Sequence, residues 1–166
     1  MEVAILLHNV RSAHNVGSIF RTADAAGVSK IFLTGYTPRP LDRFGRVQKD
    51  IAKTALGAEK FIAWEYVRAP RKFLCRLKKD GWNIIGVEQD KRAKDYRTFS
   101  ASAGGGSASG RNKNIVLVLG NEVRGLSKQL RDACDMLVEI PMRGRKESLN
   151  VAVAAGIVLF SCVSKS

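Results

Sequence analysis

The stretch that decides the fold is VEIPMRGRKESLNVAV, residues 138–153. Its apolar, strand-like start ends at Pro141, and a basic loop follows over residues 143–146. Ser148-Leu149-Asn150 then opens an apolar helix, predicted over residues 149–163. Such a junction gathers unpaired backbone amides and polar side chains, and open α/β sheets bind small molecules and phosphates there. We therefore predict a ligand site at this junction, although the junction alone does not identify the ligand.

Short apolar runs alternate with helical patterns along the rest of the chain. Strand-like runs occupy residues 3–7, 30–34, 60–64, 83–87, 115–119 and 136–140. Helical spacing occupies residues 15–26, 47–55, 68–80, 126–134 and 149–163. At 166 residues this alternation predicts a single α/β domain with a mostly parallel sheet and helices on both faces.

The charge of the chain indicates a polyanionic partner. Lys and Arg number 28 against 15 Asp and Glu, a formal net charge of +13. Such an excess attracts polyanions by counterion release, which favours nucleic acid as the partner. A charge kept for solubility, an acidic protein or a membrane surface are the alternatives that composition leaves open.

Other features of composition bear on compartment, metals and membranes. The three cysteines, Cys75, Cys134 and Cys162, form no CxxC pair, and the two histidines have no nearby ligand partners. We therefore expect a reducing compartment and no metal site. The first residues do not resemble a signal peptide and no apolar run reaches transmembrane length, so we expect a cytoplasmic protein with no membrane partner.

A glycine–serine segment, SASAGGGSASG, occupies residues 100–110. It follows a polar segment and precedes a strand, whereas a dinucleotide-binding glycine loop lies between a strand and a helix. We predict a flexible excursion between the fourth and fifth predicted strands, not a phosphate loop.

Three polar clusters follow predicted strands. The first holds Asn15, Gly17 and Arg21; Asn15 is a candidate helix N-cap, and Arg21 lies within two turns of it, so that both can address one cleft. The second is LGNEVRGLS, residues 119–127, and the third is the 140–150 junction. Each cluster alone fits an ordinary capped or solvated element. Together they lie at the carboxyl ends of predicted parallel strands, the edge at which such sheets bind ligands.

Taken in order, the motifs N-x-G-x-x-x-R from Asn15, G-N-E-x-x-G from Gly120, and I-P-M with S-L-N from Ile140 resemble the SpoU (TrmH-type) branch of the SPOUT RNA methyltransferases. The resemblance implies an α/β fold whose C-terminal segment forms a deep trefoil knot. It also implies a homodimer that binds S-adenosyl-L-methionine in the knot and methylates a ribose 2′-hydroxyl of RNA. Transfer RNA is the first candidate substrate and ribosomal RNA the second.

The resemblance also assigns residues, position by position. Arg21 matches the catalytic arginine of the family, and the other positions of the catalytic site fall on Asn15, Glu122, Ser148 and Asn150. The family's cofactor-binding loops fall on Val87, Leu119, Gly120, Asn121, Ile140, Met142, Ser148 and Leu149. In the family, Asn15 and Arg21 would serve the cofactor of the partner subunit.

Many members of the family carry an N-terminal RNA-binding extension, whereas this chain starts at the first predicted catalytic strand. We therefore expect RNA capture to depend on the basic surface of the catalytic domain. The candidates are Arg21, Arg39, Arg43, Arg46, Lys49, the basic helix at 71–79, Arg143, Arg145 and Lys146. Two alternatives remain open: a non-enzymatic RNA-binding module that keeps the knotted fold, and a SPOUT enzyme that methylates a base.

Overall fold

The computed structural model describes residues 1–99 and 114–163. The predicted glycine–serine excursion at 100–110 lies outside the described residues. Within them, one sheet has seven strands in the order β3-β2-β1-β6-β4-β7-β5, and every neighbouring pair is parallel. In chain order the strands are β1 (Val3–His8), β2 (Lys30–Thr34), β3 (Ala63–Val67), β4 (Asn83–Val87), β5 (Lys94–Asp95), β6 (Ile115–Leu119) and β7 (Met136–Glu139).

Among the described residues, five helices cover the two faces of this sheet, and each face has its own core. They are α1 (Ala13–Ala25), α2 (Lys49–Ala55), α3 (Pro70–Lys79), α4 (Lys128–Ala133) and α5 (Val151–Val163), with short 3-10 turns at Ala58–Lys60 and Tyr96–Thr98. The apolar residues of α1, α2 and α5 share one core, and those of α3 and α4 share the other. A parallel sheet covered on both faces explains why β6 reads as an unbroken apolar run, IVLVL, that is buried throughout. The predicted α/β class is therefore confirmed.

The start of α1 differs from the prediction. Ser12, not Asn15, is the N-cap, because the Ser12 hydroxyl accepts a hydrogen bond from Asn15 N at 3.2 Å. The side chain of Asn15 is thereby left available for other contacts. Gly17 lets α2 approach closely: a Cβ there would lie 2.4 Å from the carbonyl oxygen of Ile51 in α2.

Two strands differ from those predicted from the sequence. The predicted third strand at 60–64 is displaced, because residues 58–60 form a 3-10 turn and the strand begins at Ala63. The apolar Phe61 that suggested a strand is 82% exposed. The second difference is β5, which is only two residues long, pairs with β7 and was not predicted.

Across the described residues, no helix is both long and apolar enough to cross a membrane.

Candidate functional site

The strand register brings the three polar clusters to one edge of the sheet. Leu7 of β1 pairs with Leu119 of β6, Leu119 pairs with Val87 of β4, and Val87 pairs with Val138 of β7. Four adjacent parallel strands therefore reach their carboxyl ends at nearly the same level. The loops that follow them meet there, so segments more than a hundred residues apart in sequence become neighbours.

A cavity of about 390 Å³ lies between the loops that follow β4, β6 and β7. This volume falls within the range of small-molecule sites. All eight residues predicted to bind a cofactor line this cavity: Val87, Leu119, Gly120, Asn121, Ile140, Met142, Ser148 and Leu149. The structure thus brings together in one site residues that the sequence placed on three separate loops.

One wall of the cavity is a tight turn that depends on glycine. Asn121 and Gly125 form a two-way backbone pair, with Gly125 N donating to Asn121 O at 2.9 Å and Asn121 N donating to Gly125 O at 3.3 Å. A Cβ on Gly120 would lie 2.6 Å from the carbonyl carbon of Gly125, so no side chain fits there. Gly125 has φ +62°, and a Cβ on it would lie 2.0 Å from Oε2 of Glu88. That Glu88 oxygen accepts a hydrogen bond from Leu126 N, which attaches the turn to the end of β4.

Glu122 joins this turn to the start of α1. Its carboxylate accepts hydrogen bonds from Arg11 N at 3.0 Å, Ser12 N at 3.2 Å and Asn15 Nδ2 at 3.1 Å. Burial alone would raise the pKa of Glu122, but the backbone and side-chain N–H donors around it lower the pKa below its ordinary value. Glu122 is therefore a carboxylate at neutral pH, and it accepts two of the backbone N–H groups that lead into α1.

Asn15 and Asn150 extend this network to the last helix. Asn150 Nδ2 donates to Asn15 Oδ1 at 3.0 Å, and Asn150 Oδ1 accepts from Ala152 N at 2.8 Å as the N-cap of α5. Glu122, Asn15 and Asn150 thus form one chain of hydrogen bonds that links all three motif segments. The predicted catalytic residue Ser148 lies beside them in the wall of the cavity.

A sequence profile of the SpoU rRNA Methylase family matches residues 2–160. The chain belongs to this family. The match spans nearly the whole chain and confirms the resemblance on which the site residues were assigned.

Relatives of this SpoU family member are longer than the chain. A putative TrmH family tRNA/rRNA methyltransferase of Staphylococcus haemolyticus is 31% identical over 165 residues, which cover 99% of this chain but 59% of that protein. The AdoMet-bound rRNA methyltransferase from Sinorhizobium meliloti superposes with a TM-score of 0.81 at 32% identity, over 96% of this chain and 55% of that one. The A. aeolicus TrmH/SpoU tRNA modifying enzyme gives a TM-score of 0.81 at 27% identity, over 99% and 75% of the two chains.

In this SpoU family member, Arg21 does not reach the cavity of its own chain. It lies in a separate groove between α1, the end of α2 and α5, beside Ser18, Lys53, Leu56 and Phe160. The reason is helical geometry. Arg21 lies six residues after Asn15, so the helix turns by about 600° between them, about 120° short of two full turns. The Arg21 side chain therefore points about 120° away from that of Asn15 around the helix axis. The expectation that both address one cleft is therefore not met within a single chain.

The predicted RNA-binding cations of the β2–α2 loop lie against aromatic rings. The guanidinium of Arg39 is 3.8 Å from the ring centre of Tyr66, and those of Arg43 and Arg46 are 4.7 and 5.1 Å from the ring centre of Phe44. Arg46 also pairs with Asp42 at 2.7 Å. Three further predicted cations, Arg143, Arg145 and Lys146, are exposed in the loop beside the cavity, and Lys49 is exposed at the start of α2.

Sequence reasoning missed several residues of the site. Glu88, Glu139 and Glu147 line the cavity together with Glu122, so four acidic residues surround it in a strongly basic chain. Glu88 and Glu139 could have been found by the rule that found the other clusters, because each lies at the carboxyl end of a strand.

Within residues 1–99 and 114–163, no group of three His, Cys, Asp or Glu side chains is arranged to hold a metal ion.

Proposed function

We propose that this chain is an S-adenosyl-L-methionine-dependent methyltransferase that acts on a ribose 2′-hydroxyl of RNA, with transfer RNA as the first candidate and ribosomal RNA as the second. The observation that carries this proposal is the cavity formed by the loops after β4, β6 and β7: the second and third motif segments line it, and Asn15 of the first is hydrogen-bonded to Glu122 in its wall. The chain spans about 59% of the length of the curated relatives it matches, and those relatives are named as tRNA/rRNA methyltransferases. The AdoMet-bound neighbour supports the choice of cofactor.

The residues around the cavity fit S-adenosyl-L-methionine. This molecule carries a sulfonium and an ammonium, and four glutamates are among the residues that line the cavity: Glu88, Glu122, Glu139 and Glu147. Leu119, Ile140 and Leu149 supply apolar surface, and the glycine-marked turn exposes backbone groups for recognition. When bound, the cofactor would supply an electrophilic methyl group on a positively charged sulfur.

The roles of the chain's own residues follow from their charge and placement. Arginine retains its proton at any physiological pH, so Arg21 cannot act as a neutral base. We assign its guanidinium to the adjacent RNA phosphate and to the 2′-oxygen, on which negative charge develops as the hydroxyl proton passes to solvent water and the methyl group passes from sulfur to oxygen. The chain formed by Glu122, Asn15 and Asn150 holds the start of α1 against the cavity wall, so that Asn15 and Ser148 can position the ribose.

Arg21 can act on a bound cofactor only if a second copy supplies it, so the proposal includes a homodimer. The helix α5 is apolar along its whole length, and Val153, Ile157 and Phe160 follow one another at helical spacing on its outer side, where Val153 is 51% and Phe160 44% exposed. The groove that holds Arg21 includes Phe160 and the 67% exposed Leu56. Burial of this face against a second copy would carry Arg21 toward the cavity of the partner.

The proposal also includes a deep trefoil knot. The sheet order places β7 beyond β4, yet the next helix, α5, returns past β4 and β6 to pack on α1. The connecting residues 140–150 pass beside the Gly120–Gly125 turn and form the opposite wall of the same cavity. A chain that passes through the loop made by the preceding segment would account for this return, and the hydrogen bond between Asn150 and Asn15 would hold it in place.

The test of the proposed function is product analysis. The purified protein is incubated with RNA and with S-adenosyl-L-methionine labelled on its methyl group, and the RNA is then hydrolysed with alkali. We expect the label in alkali-resistant dinucleotides, because a 2′-O-methyl group blocks cleavage of the adjacent linkage. Label in mononucleotides would indicate base methylation, and RNA binding without any label would indicate a non-enzymatic module.

We also propose that the outer side of α3 contacts RNA. Cys75 is exposed and shares a groove with Arg71, Lys72, Arg76 and Lys79, four cations for which no carboxylate partner is found among the described residues. Other cations of the chain are paired, as Lys30 is with Glu65, Lys78 with Asp135 and Lys128 with Asp132. Unpaired cations in two rows along a helix are suited to an RNA backbone.

Cys75 is a native reporter for this contact. We expect a thiol-reactive maleimide to modify Cys75 in the free protein and saturating RNA to slow that reaction several-fold, with the protection lost as salt is raised. Cys134 is the internal control, because burial raises the pKa of its thiol to about 12 and keeps it unreactive. An unchanged rate of Cys75 modification in RNA-bound protein would contradict the contact.

A further inference from the structure

An exposed tyrosine, Tyr36, is hydrogen-bonded through its hydroxyl to a residue that lines the cavity, and through its backbone N–H to Asn9. Tyr36 belongs to the loop after β2, and 58% of its surface is exposed. Its hydroxyl accepts a hydrogen bond from Asn121 Nδ2 at 3.0 Å. Asn121 is only 9% exposed and itself lines the cavity. One buried amide thus connects the tyrosine ring to the proposed methyl-donor site.

The backbone near Tyr36 is shaped to keep the ring in this position. Asn9, which follows β1, has φ +57°, a left-handed conformation that is uncommon outside glycine. Its Oδ1 accepts from Tyr36 N at 3.2 Å, and its own carbonyl accepts from Asn121 Nδ2 at 3.0 Å. Gly35 also has a positive φ, +65°, and a Cβ there would lie 1.8 Å from Asn9 Oδ1. Residues in such conformations persist where the surrounding structure requires them, often at functional sites.

His8 holds the side chain of Asn9 in place through a further hydrogen bond. Its Nε2 accepts from Asn9 Nδ2 at 3.0 Å and its Nδ1 donates to Thr34 Oγ1 at 2.8 Å, an arrangement that requires a neutral imidazole. Burial lowers the pKa of His8, which favours that neutral form. The amide orientation of Asn9 is thereby fixed, and with it the position of the Tyr36 backbone.

We infer that Tyr36 forms one side of a nucleobase-binding site, on which the base of the target nucleotide or of its neighbour stacks while the ribose lies at the cavity. An exposed aromatic residue whose backbone and hydroxyl are both held by hydrogen bonds, to Asn9 and Asn121, matches the way proteins hold unpaired RNA bases. This inference rests on the proposed function, because it takes RNA as the ligand. It adds a recognition element that none of the three family motifs contains.

The inference predicts that removal of the ring weakens RNA binding and leaves the cofactor site intact. With an RNA oligonucleotide that contains the methylated nucleotide, Tyr36→Ala should raise KM about 5- to 150-fold, the range for loss of one base-stacking contact. Tyr36→Phe keeps the ring and should stay within a few-fold of the unmodified protein. Phe61→Ala is the matched control, because Phe61 is an 82% exposed aromatic outside the site. Calorimetry should give the same S-adenosyl-L-methionine affinity for all four proteins.

A second substrate shows whether the ring contacts a base. An oligonucleotide with an abasic residue at the methylated position, and a second one with the abasic residue at the adjacent position, keep the 2′-hydroxyl and the phosphates. Tyr36→Ala should have little effect on one of these two RNAs, because the stacking partner is already missing. The inference is wrong if Tyr36→Ala behaves like Phe61→Ala, if its effect is equal on all three RNAs, or if it changes the oligomeric state instead. Failure of the unmodified protein to methylate any RNA would refute the proposed function itself.

Discussion

Arg21→Ala is expected to lower the rate of methyl transfer by about 10²- to 10³-fold, the effect of removing one preorganised donor from a developing oxyanion. The affinity for S-adenosyl-L-methionine should not change, because Arg21 is assigned to the RNA phosphate and the 2′-oxygen and not to the cofactor. Arg21→Lys keeps the positive charge but loses the planar set of guanidinium N–H donors. Its rate of methyl transfer should therefore still fall at least about tenfold. The rate is measured as label transferred to RNA under single-turnover conditions, and cofactor affinity by calorimetry.

Lys128→Ala is the matched control for this experiment. It also removes one positive charge, but Lys128 is an 82% exposed residue of α4 that pairs only with Asp132. A surface pair of this kind contributes little to stability. If Arg21→Ala and Lys128→Ala lose activity equally, the loss in Arg21→Ala is explained by the change in net charge alone. Full activity of Arg21→Ala would remove Arg21 from the mechanism.

Local patterns predicted the strands that lie in the middle of the sheet, and the reason is burial. Residues 83–87 and 115–119 form β4 and β6 as predicted, since a central parallel strand is a continuous apolar run with sharp ends. At the edge of the sheet this pattern fails. The edge strand β3 alternates exposed and partly buried residues, and β5 has only Lys94 and Asp95, whose strand conformation comes from pairing with β7. A pairing between residues more than 40 positions apart leaves no local pattern.

The site was predicted in part for a similar reason. Polar residues that follow strands can be read from sequence, and this rule found the three clusters; the eight predicted cofactor-binding residues that line the cavity came from the family resemblance. It cannot show which side chains then bind one another. The contact of Glu122 with Arg11 and Asn15 spans more than a hundred residues and depends on the order of β1 and β6 in the sheet. The support of Tyr36 by Asn9 and Asn121 depends on the same long-range order.

Gly120→Ala is expected to abolish cofactor binding at concentrations that saturate the unmodified protein. The new Cβ would lie 2.6 Å from the carbonyl carbon and 2.7 Å from the carbonyl oxygen of Gly125, and 2.7 Å from Leu126 N. All three are backbone atoms, so the turn must move as a whole and the cavity wall moves with it. We expect the affinity for S-adenosyl-L-methionine to fall at least about 100-fold, a cost of about 2.7 kcal/mol that is within the range for overpacking a tight site.

Gly144→Ala is the control, because a Cβ at Gly144 in the basic loop meets no atom within 4 Å. Calorimetry gives the cofactor affinity of both variants, and thermal unfolding shows whether each remains folded. A cofactor affinity of Gly120→Ala equal to that of Gly144→Ala would mean that this turn is not part of the cofactor site.

Arg21→Ala and Gly120→Ala can be combined to test whether Arg21 acts on the cavity of the partner subunit in the proposed dimer. When Arg21→Ala and Gly120→Ala chains are co-expressed, about half of randomly paired dimers are mixed. If Arg21 serves the partner's cavity, each mixed dimer combines the intact Arg21 of one chain with the intact cavity of the other, which restores one of its two sites. The mixture should then recover about a quarter of the unmodified activity, although each variant alone is inactive. If Arg21 instead serves the cavity of its own chain, every site in the mixture lacks one component and activity stays at the level of the separate variants.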